Sequence, residues 1–322
     1  MERARFVEAR ELLTGLLPRS RLVAAPSLAK NPEQAVYLKL EGELPTGSFK
    51  VRGALYALQV NMRRREVVEV VASSTGNHGA AVAYAAKQLG VKAKIFLPLN
   101  CNPVKKQKIE RLGAVIVEKG AVDLAGAFEA ALHYTQESGA FFLNDADDPD
   151  LPAGPGTIAC EILEQAPEVR KIFVPMGDTA LIRGVAQAAK LDSSTVKIVG
   201  VQSERAPSYE LSWRAGRVVS TETCDTIADG LATRTPLAAN VSEIRRLVDE
   251  VILVSEQEML GAIRRLALDE HVVAEPAGAA ATAAYLKAAD QETAAALLVT
   301  GGNVTPDVFR TAIAESPARA ME

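Results

Sequence analysis

The sequence predicts an α/β protein built on an open, mostly parallel sheet that is covered by helices. Short β-branched runs alternate with Ala- and Leu-rich runs of helical periodicity, which is typical of β-α-β units. Hydrophobic residues make up 48% and charged residues 24% of the 322 positions, a composition that suits a globular protein with a large core. Consecutive β-α units favour right-handed crossovers, so we expect a doubly wound sheet.

Two series of such units make up most of the chain. The first series begins with a strand and then alternates, with elements at 67–72, 79–90, 92–98, 103–113, 114–119 and 123–139. The second series has strands at 171–175, 197–202, 250–255 and 295–300, and helices at 181–190, 256–270 and 276–289. A Pro- and Asp-rich stretch at 144–156 separates the two series, and we interpret it as a crossing between two sub-domains.

Charge and hydropathy exclude several classes of function. The 36 Lys and Arg residues against 40 Asp and Glu residues give a net charge of −4, which argues against nucleic-acid and anionic-membrane partners. No apolar run approaches the ~20 residues that a membrane-spanning helix needs. The amino-terminal segment lacks the apolar core of a signal peptide, so we expect a cytoplasmic protein. The sequence ends soon after the last predicted strand, so we expect no regulatory domain there.

The cysteine and histidine residues give no sign of a metal centre. The chain has three of each, and they are scattered without the spacing of metal ligands. We therefore expect no metal site, and reduced thiols at Cys101, Cys160 and Cys224.

The first of four strand-to-helix turns that suit a ligand spans 43–55. It places Lys50 in the first turn of a helix, with Ser48 as a plausible N-cap. The positive end of the helix dipole favours the neutral amine, which attacks a carbonyl and forms a Schiff base. A solvated lysine on an amphipathic helix is the alternative.

The other three turns combine small residues with polar ones. In 70–81, five small or polar residues from Ser73 to Asn77 open a helix, and their N–H groups suit a carboxylate, an ordinary helix cap being the alternative. The turn at 173–186 suits an anion in the same way, although the carboxylate of Asp178 opposes one. The turn at 297–307 has two consecutive glycines that permit the close approach of a flat ligand.

Together, and in this order, the four turns resemble the fold type II pyridoxal-5′-phosphate (PLP) enzymes, most closely the serine/threonine dehydratase and serine racemase family. SFKVRGA (48–54) is similar to the PLP-lysine motif, SSTGNHGAAVAYAA (73–86) is similar to the asparagine loop, and VPMGDTALIRG (174–184) lies where the family has a glycine-rich phosphate loop. Further similar segments are IADGLATRTP (227–236), EPAGAAA (275–281) and TGGN (300–303).

The resemblance covers the chain from about residue 15 to residue 315 and implies its architecture. It implies two open, mostly parallel, helix-covered sheets of the tryptophan synthase β-like kind. A large PLP-binding domain would comprise 1–68 and 149–322, and a small domain at 69–148 would close over the substrate.

The resemblance also implies roles for the residues that match its motifs. Lys50 would hold PLP as a Schiff base and remove the Cα proton of the substrate. Asn77 would meet the phenolic oxygen of PLP, Thr300 would face its pyridine nitrogen, and Glu275 would lie beneath the ring side of the site. The phosphate would be wrapped by Gly177, Asp178, Thr179, Ala180 and Leu181. The substrate carboxylate would be held by Ser74, Thr75, Gly76, Asn77 and His78.

Three positions depart from the family pattern. We expect Asp178 to face solvent or to cap the following helix, with its charge offset by Arg183, because a carboxylate repels phosphate. Thr75 stands where racemases of the family carry a serine as a second acid/base, and its branched side chain disfavours racemisation. Gln202 and Ser208 stand where some members carry carboxylate ligands, so we expect a monovalent ion or none.

The function implied by the resemblance is an ammonia-lyase that removes water and then ammonia from a β-hydroxy L-amino acid and yields a 2-keto acid. Serine, threonine, phenylserine and 3-hydroxyaspartate are candidate substrates. Arg234 is the candidate partner for a β-carboxylate, and a surface arginine is the alternative. A β-replacement enzyme or an amino-acid racemase of the same fold is the runner-up. A non-catalytic PLP-binding paralogue and a Rossmann-type NAD enzyme are the alternatives from other classes. The family usually forms homodimers, so we expect one here.

Overall fold

The computed structural model describes residues 2–31, 33–74, 76–99, 103–118, 124–288 and 293–314. The strands are β1 Leu22–Ala24, β2 Val36–Leu40, β3 Glu69–Ser73, β4 Lys92–Phe96, β5 Val115–Val117, β6 Phe141–Phe142, β7 Lys171–Pro175, β8 Lys197–Ser203, β9 Glu250–Val254 and β10 Ala295–Val299. The helices are α1 Arg3–Leu13, α2 Lys50–Arg64, α3 Asn77–Leu89, α4 Pro103–Arg111, α5 Leu124–Ser138, α6 Ala153–Gln165, α7 Ala180–Asp192, α8 Ser208–Ala215, α9 Ala238–Leu247, α10 Glu256–Leu268, α11 Pro276–Lys287 and α12 Pro306–Ile313. None of these helices has the length and apolar character needed to cross a membrane.

These strands form two sheets. The larger has six strands in the order β1-β2-β10-β7-β8-β9, and only β1 in it runs antiparallel to its neighbour. The smaller has four parallel strands in the order β5-β4-β3-β6. The prediction of an α/β fold with two open, mostly parallel, helix-covered sheets is confirmed.

Both sheets are covered on two faces. Along β10, Leu297 and Val299 belong to a core shared with α10 and α11, whereas Ala296 and Leu298 belong to a core shared with α6 and α7. Successive side chains of a strand point to opposite faces, so this division places helices on both sides of the six-stranded sheet. In the four-stranded sheet, Val71 packs on the α5 side, apart from its neighbours in β3.

The predicted elements of both series occur, with ends that agree with the structure to within two residues. The strands β1 and β2 and the helix α6 were not predicted. Helix α6 begins within the stretch that the sequence indicates as a crossing, 144–156. Its composition reflects helix packing, because a Cβ added at Gly154 would overlap the backbone oxygen of Arg52. Glycine therefore lets α6 and α2 lie in direct backbone contact.

A buried ionic cluster holds α2 in place. The guanidinium of Arg52 donates to Glu41 at 2.8 Å and to Glu161 at 2.6 Å, and Lys39 donates to Glu161 at 2.5 Å. Ser20 donates to Glu41 at 2.6 Å. Burial opposes the charge of Glu161, but Arg52 and Lys39 outweigh it and lower the pKa of Glu161. The cluster is electrically balanced and anchors the helix whose first residue is Lys50.

Candidate active site

A cavity of about 620 Å³, its open mouth included, lies where strands of both sheets end. Asn77 follows β3, Asp145 follows β6, Gly177 follows β7 and Thr300 follows β10, and all four line the cavity. The carboxyl ends of parallel strands are where α/β folds place their ligand sites. The fold thus brings together in one cavity residues from positions across most of the chain.

Lys50 lines this cavity from the first turn of α2, as predicted. The segment before it is held on the end of β10, since Phe49 N donates to Thr300 O at 3.0 Å and Ser48 forms a β-bridge with Gly301. The prediction that Ser48 caps the helix is wrong: the N-cap is Phe49, and Ser48 Oγ is buried without a hydrogen-bond partner. Pairing with the strand end, not a cap, positions Lys50.

The Lys50 amine donates a hydrogen bond to Asp145 Oδ2 inside the cavity. Burial opposes its charge, but the carboxylates of Asp145, Asp178 and Glu275 outweigh burial and raise the pKa of Lys50. The expectation of a neutral amine is therefore wrong for the chain alone. The helix dipole at Lys50 is overcome by three carboxylates that the local sequence does not announce.

The asparagine loop bridges the two sheets. Asn77 Nδ2 donates to Glu275 Oε1 at 2.7 Å, and Asn303 Nδ2 donates to Asn77 Oδ1 at 2.7 Å. Ser74 Oγ accepts from Gly76 N at 3.3 Å, which tightens the turn before α3. Thr75, a predicted catalytic and carboxylate-binding residue, lies outside the described residues. The described part of the loop thus presents its small residues at the helix N-terminus, where an anion is favoured.

His78 is buried and turned away from the mouth of the loop. Its Nε2 lies 2.9 Å from the carbonyl oxygen of Leu143, and its Nδ1 lies 3.9 Å from Asp145 Oδ2. Burial lowers the pKa of His78. The imidazole is thus committed to the four-stranded half of the protein, which leaves its backbone as the group able to meet a substrate carboxylate.

The turn before α7 has the donor set of a phosphate site. Gly177, Asp178, Thr179, Ala180 and Leu181 all line the cavity. Thr179 has a φ of 71°, and a Cβ added at Gly177 would overlap the carbonyl oxygen of Gly230, so the turn is tight. The first N–H groups of α7 lack acceptors within the helix and suit a phosphate, while the nearby Lys50 amine suits an aldehyde. This pair of donors fits PLP.

Asp178 does not face solvent and does not cap α7, so that prediction is wrong. Its carboxylate lines the cavity and accepts a hydrogen bond from Thr233 Oγ1 at 2.9 Å. Arg183 pairs with Glu243 at 2.9 Å. Burial and the charge of Asp145 raise the pKa of Asp178, while Arg183 acts in the opposite direction. An uncharged Asp178 is compatible with a phosphate beside it.

The fourth turn holds Thr300 and Glu275 on adjacent elements. Thr300 is buried, with its hydroxyl 3.5 Å from Ala277 O, and Glu275 N donates to Gly301 O at 3.0 Å. A Cβ added at Gly301 would overlap the Glu275 carboxylate, so the glycine is required for this close approach. Both predicted residues line the cavity.

Other predicted positions lie away from the cavity. Arg234 is exposed and donates to Thr221 O at 3.2 Å, so the structure favours the surface alternative. Gln202 Oε1 accepts from Glu210 N at 3.0 Å, and Ser208 Oγ donates to Thr233 O at 2.5 Å. Both side chains at the suspected cation position are thus used within the protein.

Asp145 is the functional residue that the sequence reasoning missed. It follows β6 after a short gap and contacts Lys50 and His78. The available signal was an aspartate just after the apolar pair Phe141–Phe142, but the prolines that follow indicated a connecting segment. A strand as short as β6 offers no periodicity for the sequence to reveal.

Comparison with known proteins identifies the family. The family model described as "Pyridoxal-phosphate dependent enzyme" matches residues 13–301. The L-threonine ammonia-lyase of Thermotoga maritima is 37% identical over 298 residues, which cover 92% of this chain and 74% of the relative. The catabolic L-threonine dehydratase TdcB of Escherichia coli K12 is 31% identical over 303 residues, which cover 93% of this chain and 92% of the relative.

Solved structures show the same architecture. Maize serine racemase superimposes with a TM-score of 0.90 at 28% identity, covering 97% of this chain and 96% of its own. A bacterial threonine deaminase, from the organism abbreviated T.th., superimposes with a TM-score of 0.88 at 33% identity, covering 94% of this chain and 98% of its own. The cofactor is therefore PLP. This chain belongs to the fold type II pyridoxal-phosphate-dependent enzymes, within the serine/threonine dehydratase and serine racemase family.

Proposed function

We propose that this enzyme is an ammonia-lyase that removes water and then ammonia from a β-hydroxy L-amino acid and releases a 2-keto acid. The observation that carries the proposal is the placement of the Lys50 amine in one cavity with the anion-binding turn at Gly177–Leu181. The similarity to L-threonine ammonia-lyase and L-threonine dehydratase supports the reaction class. Serine and threonine are the simplest candidate substrates, and phenylserine and 3-hydroxyaspartate are the bulkier ones.

PLP would be held covalently by Lys50, by its phosphate at the N-terminus of α7, and by Asn77, Glu275 and Thr300 around its ring. When bound, the cofactor acidifies the Cα–H of an amino acid by accepting its electrons. Lys50 is the base that takes the Cα proton, because its amine is the basic group that already lies in the cavity. Thr300 offers the ring nitrogen a neutral hydroxyl, and a neutral partner suits elimination over transamination.

The substrate carboxylate would bind at Ser74, Thr75 and Gly76 and at the backbone N–H groups of Asn77 and His78. The positive end of α3 favours a carboxylate at this position. This placement orients the amino acid, because its carboxylate and its amino group would be fixed at the two sides of the cavity.

The two halves of the protein would act as domains. We propose a small domain at 69–148 that closes over the substrate against a large domain at 1–68 and 149–322. The hydrogen bonds of Asn77 with Glu275 and Asn303 support this, since they join the two halves at the cavity. Closure would exclude water from the site while Lys50 carries the proton.

The test is a substrate panel with the PLP-loaded enzyme. L-serine, L-threonine, phenylserine and 3-hydroxyaspartate are each incubated with wild type and with Lys50→Ala, and 2-keto acid and ammonia are both measured. The proposal predicts equal amounts of keto acid and ammonia from at least one substrate, with wild type only. Keto acid from none of them would overturn it.

Two further assays address the runner-up activities. If an added thiol is incorporated into the product in place of ammonia release, the enzyme is a β-replacement enzyme. If L-serine is converted to its D-enantiomer without keto acid, it is a racemase; the racemase structures that superimpose well make this assay necessary. The homodimer and the cytoplasmic location remain predictions, and light scattering of the purified enzyme tests the first.

A further inference from the structure

The Lys50–Asp145 pair connects the proposed base to a second ionisable group. Lys50 Nζ donates to Asp145 Oδ2, and both side chains line the cavity. The two are largely buried, with side-chain exposures of 22% for Lys50 and 19% for Asp145. The atom that would receive the Cα proton therefore touches a carboxylate that can take the proton onward.

His78 does not compete as a proton donor to Asp145. Its Nε2 lies 2.9 Å from a carbonyl oxygen, which only accepts, so Nε2 carries the hydrogen. Burial lowers the pKa of His78 and favours the neutral ring. The nitrogen that faces Asp145, at 3.9 Å, is then the unprotonated Nδ1. Among the contacts of Asp145 described here, Lys50 is the group that can supply a proton.

The surrounding charges favour a neutral pair once a proton has moved. Asp178 and Glu275 also line the cavity, and the negative charges of Asp145 and Asp178 disfavour each other. With a charged Lys50 beside it, Asp145 is ionised, because Lys50 and His78 together outweigh burial and lower the pKa of Asp145. When Lys50 gives up its proton, burial and Asp178 both favour the uncharged carboxyl group.

We propose that Asp145 is a catalytic acid that protonates the departing β-hydroxyl with a proton received from Lys50. The proposal rests on the lyase function. The Lys50 amine takes the proton from Cα, and the electron pair left there forms the Cα–Cβ double bond as the Cβ–O bond breaks. The oxygen keeps the electrons of that bond, receives the proton of Asp145 and leaves as water. The Lys50 ammonium then returns a proton to Asp145, so the Cα proton ends on the water.

The test compares two leaving groups in the PLP-loaded enzyme. Hydroxide needs a proton to leave, whereas the chloride of β-chloro-L-alanine does not. In Asp145→Asn, initial kcat should fall by about 10²–10⁴-fold on the β-hydroxy substrate. On β-chloro-L-alanine it should stay within about threefold of wild type. The matched control is Asp147→Asn, an exposed aspartate on the same segment, which should leave both rates unchanged.

A second readout uses the enzyme without cofactor. Asp145 raises the pKa of Lys50, so in Asp145→Asn a small amine-acylating reagent should modify Lys50 at lower pH than in wild type. Peptide mass spectrometry measures the extent of modification, and Asp147→Asn should follow wild type. An unchanged profile would mean that the two side chains are not in contact, and the proposal would fall.

The outcomes separate this proposal from the lyase function. If wild type acts on β-chloro-L-alanine but on no β-hydroxy amino acid, both fall. If wild type acts on a β-hydroxy amino acid and Asp145→Asn retains that rate, only the role of Asp145 falls. Equal losses on both substrates would show that Asp145 merely positions Lys50, and would also overturn the acid role.

Discussion

The side-chain amide of Asn77 donates a 2.7 Å hydrogen bond to the carboxylate of Glu275 and so joins the start of α3 to the start of α11. Helix α3 packs on the four-stranded sheet and α11 on the six-stranded sheet. A single contact thus links the two halves at the site where PLP would bind. Its position makes it the natural latch of a closing active site.

Loss of this latch should reduce catalysis more than stability. Asn77→Ala removes the hydrogen bonds to Glu275 and Asn303, at about 1–3 kcal/mol in total. We expect kcat/KM to fall by about 5- to 150-fold, since closure is required for chemistry. Steady-state kinetics measure this. The control is Asn61→Ala, which removes a bond to Ala57 O within α2 and should leave kcat/KM unchanged. Equal losses in both variants would contradict the latch.

The buried cluster around Arg52 should be a large contributor to stability. Arg52→Met leaves Glu41 and Glu161 with unbalanced buried charge, so we expect a loss of about 3–5 kcal/mol in the free energy of unfolding. Arg63→Met is the control, because its pair with Glu8 is exposed and should change stability by about 0.5 kcal/mol or less. Urea unfolding of both variants measures the difference. Similar stabilities would contradict the role of the cluster.

Gly177 should be intolerant of any side chain. Its Cβ would overlap the carbonyl oxygen of Gly230, so Gly177→Ala must shift the phosphate turn. We expect a loss of about 1–3 kcal/mol in stability and weaker PLP binding, measured by cofactor titration. Gly261→Ala is the matched control, since no atom lies within 4 Å of its added Cβ and the site is helical. That change should stabilise by about 0.5–1 kcal/mol. Wild-type PLP affinity in Gly177→Ala would contradict the assignment.

Asp178→Asn should stabilise the cofactor-free enzyme in a pH-dependent way. The pKa of Asp178 is raised in the folded state by burial and by Asp145. Its contribution to stability is therefore present below the ordinary carboxyl pKa and is lost as the pH rises through the folded value. The stability of the variant relative to wild type should accordingly be greater at pH 7 than at pH 4. Urea unfolding at the two pH values measures this, and a difference that does not change with pH would contradict it.

Asp178→Asn should also bind PLP more tightly at neutral pH. Removing an ionisable group beside the phosphate reduces like-charge repulsion, and we expect about a tenfold gain, equivalent to about 1.4 kcal/mol. Thr233 still has an acceptor in the variant, because the asparagine oxygen replaces the carboxylate oxygen. Weaker PLP binding in the variant would show that the Asp178 carboxylate helps to hold the cofactor.

Much of the fold was predictable because its signals are local. Strands such as β7 and helices such as α10 have clear periodicity and flanking turns, and the structure agrees with them to within two residues. Helix α6 was not predicted, because Gly154 serves a contact with Arg52 of α2, which is distant in the chain. The composition of a segment does not reveal such a partner.

The site was predictable to the same extent. Lys50, Asn77, Gly177, Glu275 and Thr300 all line the predicted cavity, because each belongs to a motif that the sequence displays locally. Asp145 and the true position of the Asp178 carboxylate were not predicted. Both depend on which charged groups face each other across the cavity, a relation between distant segments that spacing along the chain does not encode.

The most direct test of the account is the site at which the cofactor is attached. The holoenzyme is reduced with borohydride, digested, and analysed by peptide mass spectrometry for a phosphopyridoxyl lysine. The account predicts the added mass on the peptide that contains Lys50, with none on the peptide of Lys108. Lys108 is the discriminating alternative, since burial lowers its pKa and it donates to Asn303 Oδ1 at 2.6 Å near the same site. The added mass on Lys108, or on any lysine other than Lys50, would contradict the account.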